Sequence, residues 1–183
     1  RGVASVNTIT TEGAKSALGK SFKNKTGWAA ATAKQLRDAG FNGTGSWSDD
    51  DNLAKVSPRL VSTKLLSLMA GYAKTRGKEY AWMGRGHMDY RGDCPFIFDP
   101  GFKDYCEQAV KELAEDKSDP WLLGYYTDNE MPWNPKMLER YLALDPTEPG
   151  RIATEAWLKE KNTTKDKITD ALRDEFLQFA AER

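Results

Sequence analysis

The segment PWLLGYYTDNEMPW (residues 120–133) decides the fold prediction, because a continuous apolar run ends abruptly in three polar residues. The run WLLGYY is typical of a parallel strand that is buried on both faces. Asp128, Asn129 and Glu130 follow it almost at once, and in parallel α/β folds the residues beyond the carboxyl ends of the strands form the functional face. The segment therefore predicts a strand that delivers a carboxyl group to the rim of a parallel sheet.

The chain before this segment alternates helical and extended patterns, as βα units with a parallel sheet do. Four extended stretches are predicted to be strands: residues 2–7, 41–47, 79–84 and 121–126. Helices are predicted between them, over residues 28–39, 57–76 and 99–116. The second helix is predicted because its apolar residues share one helical face: Leu60, Val61, Leu65, Leu68, Met69 and Tyr72.

The pattern changes after residue 133, where three successive helical segments are predicted: residues 134–144, 149–161 and 165–183. The predicted fold class is therefore α/β, a (β/α)₈ TIM barrel represented by its first four βα units plus extra helices. We divide the chain into residues 1–133, the first half of the barrel, and residues 134–183, a helical extension of the fourth unit. Half a barrel leaves two open parallel edges, so the remaining half of the barrel is a predicted partner.

The composition favours a neutral partner. Lys plus Arg and Asp plus Glu both total 27 of the 183 residues, so no net charge attracts nucleic acid or an anionic membrane. No apolar stretch approaches the roughly 18–20 residues that span a bilayer, and the start of the chain lacks the pattern of a signal peptide. The two cysteines fit neither a disulfide scaffold nor a zinc site, and no metal or cofactor is predicted.

The polar residues after the fourth predicted strand suit work on a sugar. Glycoside hydrolysis needs a carboxylic acid to protonate the leaving oxygen and a second carboxylate, roughly 5–5.5 Å away in retaining enzymes. Glu130 is the predicted catalytic acid, and Asn129 is predicted to hydrogen-bond a sugar hydroxyl. Trp47 and Trp133 are predicted to stack on a pyranose ring. The alternatives are a helix N-terminal acid for Glu130 and a packing role for Trp47.

Two further residues are predicted to bind substrate, Asp128 and the single histidine, His87. His87 lies in a long loop after the third predicted strand, and its alternative is an ordinary surface loop residue. The acidic run at residues 49–51 has two interpretations, a metal site or a capped, solvated turn. The turn is favoured, because consecutive carboxylates cannot all face one ion.

The motif GYYTDNEMPW resembles the Asn-Glu signature at the end of the fourth strand in clan A glycoside hydrolases, particularly its Gly-Tyr-x-x-Asp-Asn-Glu-Met-x-Trp form in β-agarase-type enzymes. The stretches AKQLRDAGFNGTGSWSD, PFIFDPGFKDYCEQAV and DPWLLGYYTDNE follow the same order as in those enzymes, so the resemblance covers most of residues 1–133. It implies that Glu130 is the general acid/base and Asn129 its substrate-binding neighbour. The nucleophile of that family is a Glu on the seventh strand, which this chain does not reach.

The resemblance implies a fragment of a retaining glycoside hydrolase that acts on a β-linked galactan such as agarose, and a secreted or periplasmic location. Because the nucleophile lies outside the chain, we expect the 183-residue chain alone to be inactive. The alternative function is a non-catalytic carbohydrate-binding or scaffold module that keeps the sugar-facing aromatic residues.

Overall fold

A computed structural model of the chain describes residues 1–7, 20–22, 24–77 and 91–183. They belong to two compact units, one built from Arg1–Leu66 with Glu115–Thr127 and the other from Ser67–Ala114 with Asp128–Arg183. The strand predicted at residues 79–84 lies outside the described residues. The sequence-based division at residue 133 stays a prediction.

The described residues of the first unit contain four short strands: β1 (Gly2–Val3), β2 (Gly43–Thr44), β3 (Ser62–Leu65) and β4 (Leu122–Tyr126). β1 pairs with β2 and β3 pairs with β4, both in parallel. A parallel bridge between Gly43 and Val61 links the two pairs. The four described strands therefore follow one another in chain order, and all of them run in the same direction.

The helix predicted over residues 28–39 is present, and it starts three residues before its predicted start. α1 (Lys25–Asp38) starts after Asn24, whose side chain accepts a hydrogen bond from the Gly27 N–H at 2.8 Å. The chain leaves the helix through Gly40, which has φ of 81°, a value that glycine adopts without steric cost. Trp28 is buried on this helix against Leu53 of the short helix α2 (Asp50–Leu53).

The helix predicted over residues 57–76 is wrong in its first part, where the structure has strand β3. The backbone there is paired on both sides: the Thr44 N–H donates to the Val61 carbonyl at 2.7 Å, and the Ser62 N–H donates to the Trp121 carbonyl at 2.8 Å. A short apolar run fits a buried strand as well as a helix, and only pairing with neighbouring strands decides between them. The helix itself, α3 (Leu68–Arg76), begins six residues after Ser62.

The second unit is helical. Besides α3 it contains α4 (Pro100–Glu112), α5 (Met137–Leu142), α6 (Pro149–Glu160) and α7 (Asp170–Ala181). Short 3₁₀ segments lie at Arg91–Asp93, Phe96–Phe98 and Lys165–Lys167, and another, Leu113–Ser118, follows α4 and ends within the residues of the first unit. The three helices predicted after residue 133 are all present, although each is shorter than the range predicted for it.

Two apolar clusters hold the second unit together. The larger joins α5, α6 and α7 through Met137, Leu138, Tyr141, Trp157, Leu158, Phe176 and Ala180, with Cys94. The smaller packs α3 against the 3₁₀ segment at Phe96–Phe98 through Met69, Tyr72, Ala73 and Phe96, with Phe102, Tyr105 and Met131 at its edge. The smaller cluster positions the segment that follows β4, because Met131 belongs to that segment.

Candidate active site

The candidate site is the segment of residues 128–133, which follows the carboxyl end of β4. Tyr126 is the last residue of the strand, and Glu130 comes four residues later. The strand belongs to the first unit, whereas the segment belongs to the second. The predicted order of a parallel strand followed by Asp-Asn-Glu is therefore present.

Asp128 makes a specific contact with the protein. Its Oδ1 accepts a hydrogen bond from the backbone N–H of Met69, the second residue of α3, at 3.0 Å. Burial raises the pKa of this carboxyl from 3.8 to about 6, and the hydrogen bond from Met69 opposes the rise. Cys106 lies near enough that its own thiol pKa is raised, first by burial and then by the charge of Asp128. Asp128 is therefore partly withdrawn from water.

The two residues after Asp128 are presented by an unusual backbone. Asn129 is half-buried and Glu130 is exposed. Glu130 has φ of 46°, in the left-handed region that costs a non-glycine residue of the order of 1–3 kcal/mol. The next residue, Met131, packs at the edge of the smaller apolar cluster, and its carbonyl accepts the Trp133 N–H at 2.7 Å in a tight turn. Residues 128–133 are thus held in one compact shape.

The two tryptophans predicted to stack on sugar both expose large surfaces. Trp133 is 40% exposed and belongs to the same unit as Glu130. Trp47 is 52% exposed and belongs to the first unit, where its carbonyl accepts the side-chain amide of Asn7 at 2.9 Å. Trp47 also has a positive φ, 61°. His87, the remaining predicted substrate-binding residue, lies outside the described residues.

The acidic run at residues 49–51 lies at the start of α2: Asp49 precedes the helix, and Asp50 and Asp51 are its first two residues. Both carboxylate oxygens of Asp49 accept from the Asn52 side-chain amide, at 2.9 and 3.0 Å. The Thr44 hydroxyl donates to Asp50 at 3.2 Å, and burial raises the pKa of that carboxyl. Within the described ranges, no group of three or more His, Cys, Asp or Glu side chains is arranged to hold a metal ion.

Sequence reasoning missed the residues that hold the segment of residues 128–133 in place. Met69 contributes a backbone N–H to Asp128 and a side chain to the cluster that holds Met131. A backbone donor leaves no signal in a sequence. Only the structure shows that Ser67, which precedes α3, gives it no side-chain cap, so the helix start needs an acceptor from elsewhere.

Comparison with known proteins gives a consistent picture. No family model matches the chain. It is 30% identical to beta-agarase B of Vibrio sp. (strain JT0107) over 109 residues and 28% identical to beta-agarase A of the same strain over 111 residues, in each case 58% of this chain. The chain is similar to part of an agarase-like glycoside hydrolase. The resemblance predicted from its motifs is therefore confirmed.

The chain also shares the fold of a solved structure. The crystal structure of BpGH50 matches 100% of the chain with a TM-score of 0.77 and 23% sequence identity. The match covers 41% of the BpGH50 chain, and each beta-agarase match covers about 10% of the agarase's length. Among the described residues, no helix is both long and apolar enough to cross a membrane.

Proposed function

We propose that this chain is the first half of the catalytic TIM barrel of a retaining glycoside hydrolase that cleaves a β-linked galactan such as agarose. The observation that carries the proposal is the position of Asn129 and Glu130 directly beyond the carboxyl end of parallel strand β4. The similarity to two beta-agarases supports the choice of substrate class.

Glu130 is the general acid/base of the proposed reaction. It protonates the glycosidic oxygen of the leaving sugar and, once deprotonated, removes a proton from the water that releases the glycosyl-enzyme. Such a carboxyl needs a fixed direction relative to the bond it protonates. The compact shape of residues 128–133 supports this role, because it restricts the backbone on both sides of Glu130. The nucleophile is a second carboxylate outside this chain.

In this proposal, polar and aromatic side chains bind the sugar. The Asn129 amide hydrogen-bonds a sugar hydroxyl, and the exposed indoles of Trp133 and Trp47 stack on pyranose rings. His87 is also proposed to bind the substrate. Asp128 is either another sugar ligand or a support for the segment, and the kinetics of its variants separate these roles.

The remaining half of the barrel is the proposed partner of the first unit. Four parallel strands in chain order are what the first half of a barrel contributes. Leu123 and Tyr126 of β4 are 77% and 55% exposed, which a buried barrel strand would not be. In this proposal residues 1–133 form the half barrel and residues 134–183 extend its fourth unit. The protein is secreted or periplasmic, and the 183-residue chain alone does not turn over substrate.

The test is the leaving-group dependence of Glu130→Gln in the full-length gene product. Loss of the acid should reduce hydrolysis of agarose oligosaccharides about 10²–10⁴-fold, whereas activated aryl glycosides, whose leaving groups need no proton, should lose much less in the glycosylation step. Glu112→Gln, an exposed carboxyl at the end of α4, is the matched control and should retain activity.

Three results would contradict the proposal. Equal rates for the wild type and Glu130→Gln on a substrate with a poor leaving group would remove the acid role. Release of the inverted anomer, read from the ¹H NMR spectrum of the first product, would remove the retaining mechanism. Oligosaccharide binding without any turnover by the full-length gene product would favour the carbohydrate-binding module instead.

A further inference from the structure

Asn129 and Glu130 lie between two anchors that belong to the same unit. The first anchor is the hydrogen bond from the Met69 N–H to Asp128 Oδ1, at 3.0 Å, between residues 59 positions apart in the chain. The first N–H groups of a helix have no acceptor inside the helix, and the positive end of the helix dipole favours a carboxylate. Asp128 therefore supplies to α3 the acceptor that a local capping side chain commonly gives.

The second anchor is the side chain of Met131. It packs at the edge of the cluster formed by Met69, Tyr72, Ala73 and Phe96. Met69 takes part in both anchors, because its backbone binds Asp128 and its side chain lies in the cluster. Only Asn129 and Glu130 stand between the two fixed points, which leaves these two residues little freedom to change direction.

The backbone between the anchors is strained. Glu130 occupies the left-handed region with φ of 46°, which a side chain adopts only where the surrounding contacts determine the conformation. If one anchor is removed, the segment is free to return to an ordinary extended or helical conformation. The direction of the Glu130 side chain would then change.

We propose that Asp128 is a positioning residue for the reaction: through the Met69 amide it fixes the direction of the Asn129 and Glu130 side chains, and it does not act by binding the sugar. This inference rests on the proposed function of Glu130. Asp128 is partly buried and already engaged with the protein, and its raised pKa reports the loss of water around the carboxyl. An anchor of this kind should tolerate an amide, whose oxygen can also accept the Met69 hydrogen bond.

The experiment compares Asp128→Ala, Asp128→Asn and Thr169→Ala in the full-length gene product. The Thr169 hydroxyl accepts the Leu172 N–H at 3.3 Å and caps α7, so Thr169→Ala is a matched loss of one helix cap with no link to the segment. For agarose oligosaccharides, Asp128→Ala should lower kcat about 10–100-fold, because small displacements of a catalytic group have costs of that size, while KM stays within about threefold. Asp128→Asn should restore kcat to within about fivefold of the wild type, and Thr169→Ala should leave kcat unchanged.

Other outcomes overturn the inference. A rise in KM with unchanged kcat in both Asp128 variants would make Asp128 a sugar ligand, and an equal loss of kcat in Asp128→Asn and Asp128→Ala would exclude the anchor role. If Asp128→Ala does not fold, Asp128→Ser replaces it, since its shorter side chain cannot reach the Met69 amide, and the same kinetic pattern is expected.

A structural readout separates this inference from the proposed function. The Met69 amide should exchange with solvent faster in Asp128→Ala than in the wild type or Asp128→Asn, and the backbone chemical shifts of Asn129 and Glu130 should move only in Asp128→Ala. A wild type without glycosidase activity would refute the proposed function alone. Unchanged Met69 exchange and unchanged shifts in Asp128→Ala would refute the positioning role, whatever the activity.

Discussion

The two units of the chain differ in how they cover their apolar residues. In the second unit, called the helical unit below, Tyr141 and Phe176 are 1% and 0% exposed and lie within one apolar cluster. In the first unit, which contains the four described strands and is called the strand unit below, Leu123 of β4 is 77% exposed. The helical unit therefore builds a core from its own residues, whereas β4 presents apolar surface that the described residues of this chain leave open.

Ion pairs and side-chain hydrogen bonds also connect the elements of the strand unit. Lys64 of β3, which stands opposite Tyr125 of β4, forms an ion pair with Asp116 at 2.6 Å. The Tyr125 hydroxyl donates to the same carboxylate at 3.0 Å, and these contacts with Lys64 and Tyr125 lower the pKa of Asp116. Arg59 binds Asp119 through two hydrogen bonds at 3.0 and 2.6 Å. Partly exposed ion pairs contribute little to stability, so this unit depends more on what covers its strands.

The largest expected effect is on the helical core. Phe176→Ala should lower the free energy of unfolding by about 3–5 kcal/mol, because it leaves a cavity among fully buried rings. The ring centroid of Phe176 lies 5.2 Å from that of Trp157 and 5.9 Å from that of Tyr141. Urea denaturation followed by tryptophan fluorescence measures the loss. Val110→Ala, at a position that is 57% exposed in the same unit, should change stability by less than about 0.5 kcal/mol. Equal losses in the two variants would show that the aromatic cluster is not a core.

A smaller effect should appear in the pH dependence of stability through Asp128. Its pKa is about 6 in the folded chain against an ordinary value of 3.8, so the folded state binds this proton more tightly than the unfolded state does. The stability that the protonated group contributes is complete below about pH 4 and is lost as the pH rises through about 6. The difference in unfolding free energy between the wild type and Asp128→Asn should therefore fall between pH 4 and pH 7 and level off above it.

Denaturant titrations at steps of half a pH unit measure this difference. Cys106, the neighbouring thiol, does not interfere, because its pKa is raised from an ordinary value of 9.0 that already lies above this range. A difference that stays constant or increases with pH would contradict the burial of the Asp128 carboxyl.

The sequence predicted those features that depend on local pattern. Parallel strands alternating with helices, the presence of a helix over most of residues 28–39 and the position of Glu130 just after β4 all follow from periodicity and chain order. The acidic run at residues 49–51 lies at the start of the short helix α2 and not in the solvated turn that was favoured for it.

Features that depend on distant partners were missed. Val61 and Leu65 fit a helical face as well as a strand, and the neighbours of β3 in the sheet decide for the strand. The hydrogen bond between Met69 and Asp128 joins a backbone group to a side chain 59 residues away, so no local pattern encodes it. The predicted roles of Trp47, Asn129 and Trp133 in binding sugar stay predictions.

The smallest expected effect tests the open surface of the strand unit directly. Leu123→Thr keeps a residue suited to a strand but removes apolar surface, and in the 183-residue chain it should change the free energy of unfolding by no more than about 0.5 kcal/mol, because Leu123 is 77% exposed there. In the full-length gene product, the same substitution should cost about 2 kcal/mol if the rest of a barrel covers β4. Equal small changes in both proteins would mean that β4 stays open, and the difference between the two units would then be a permanent property of the fold.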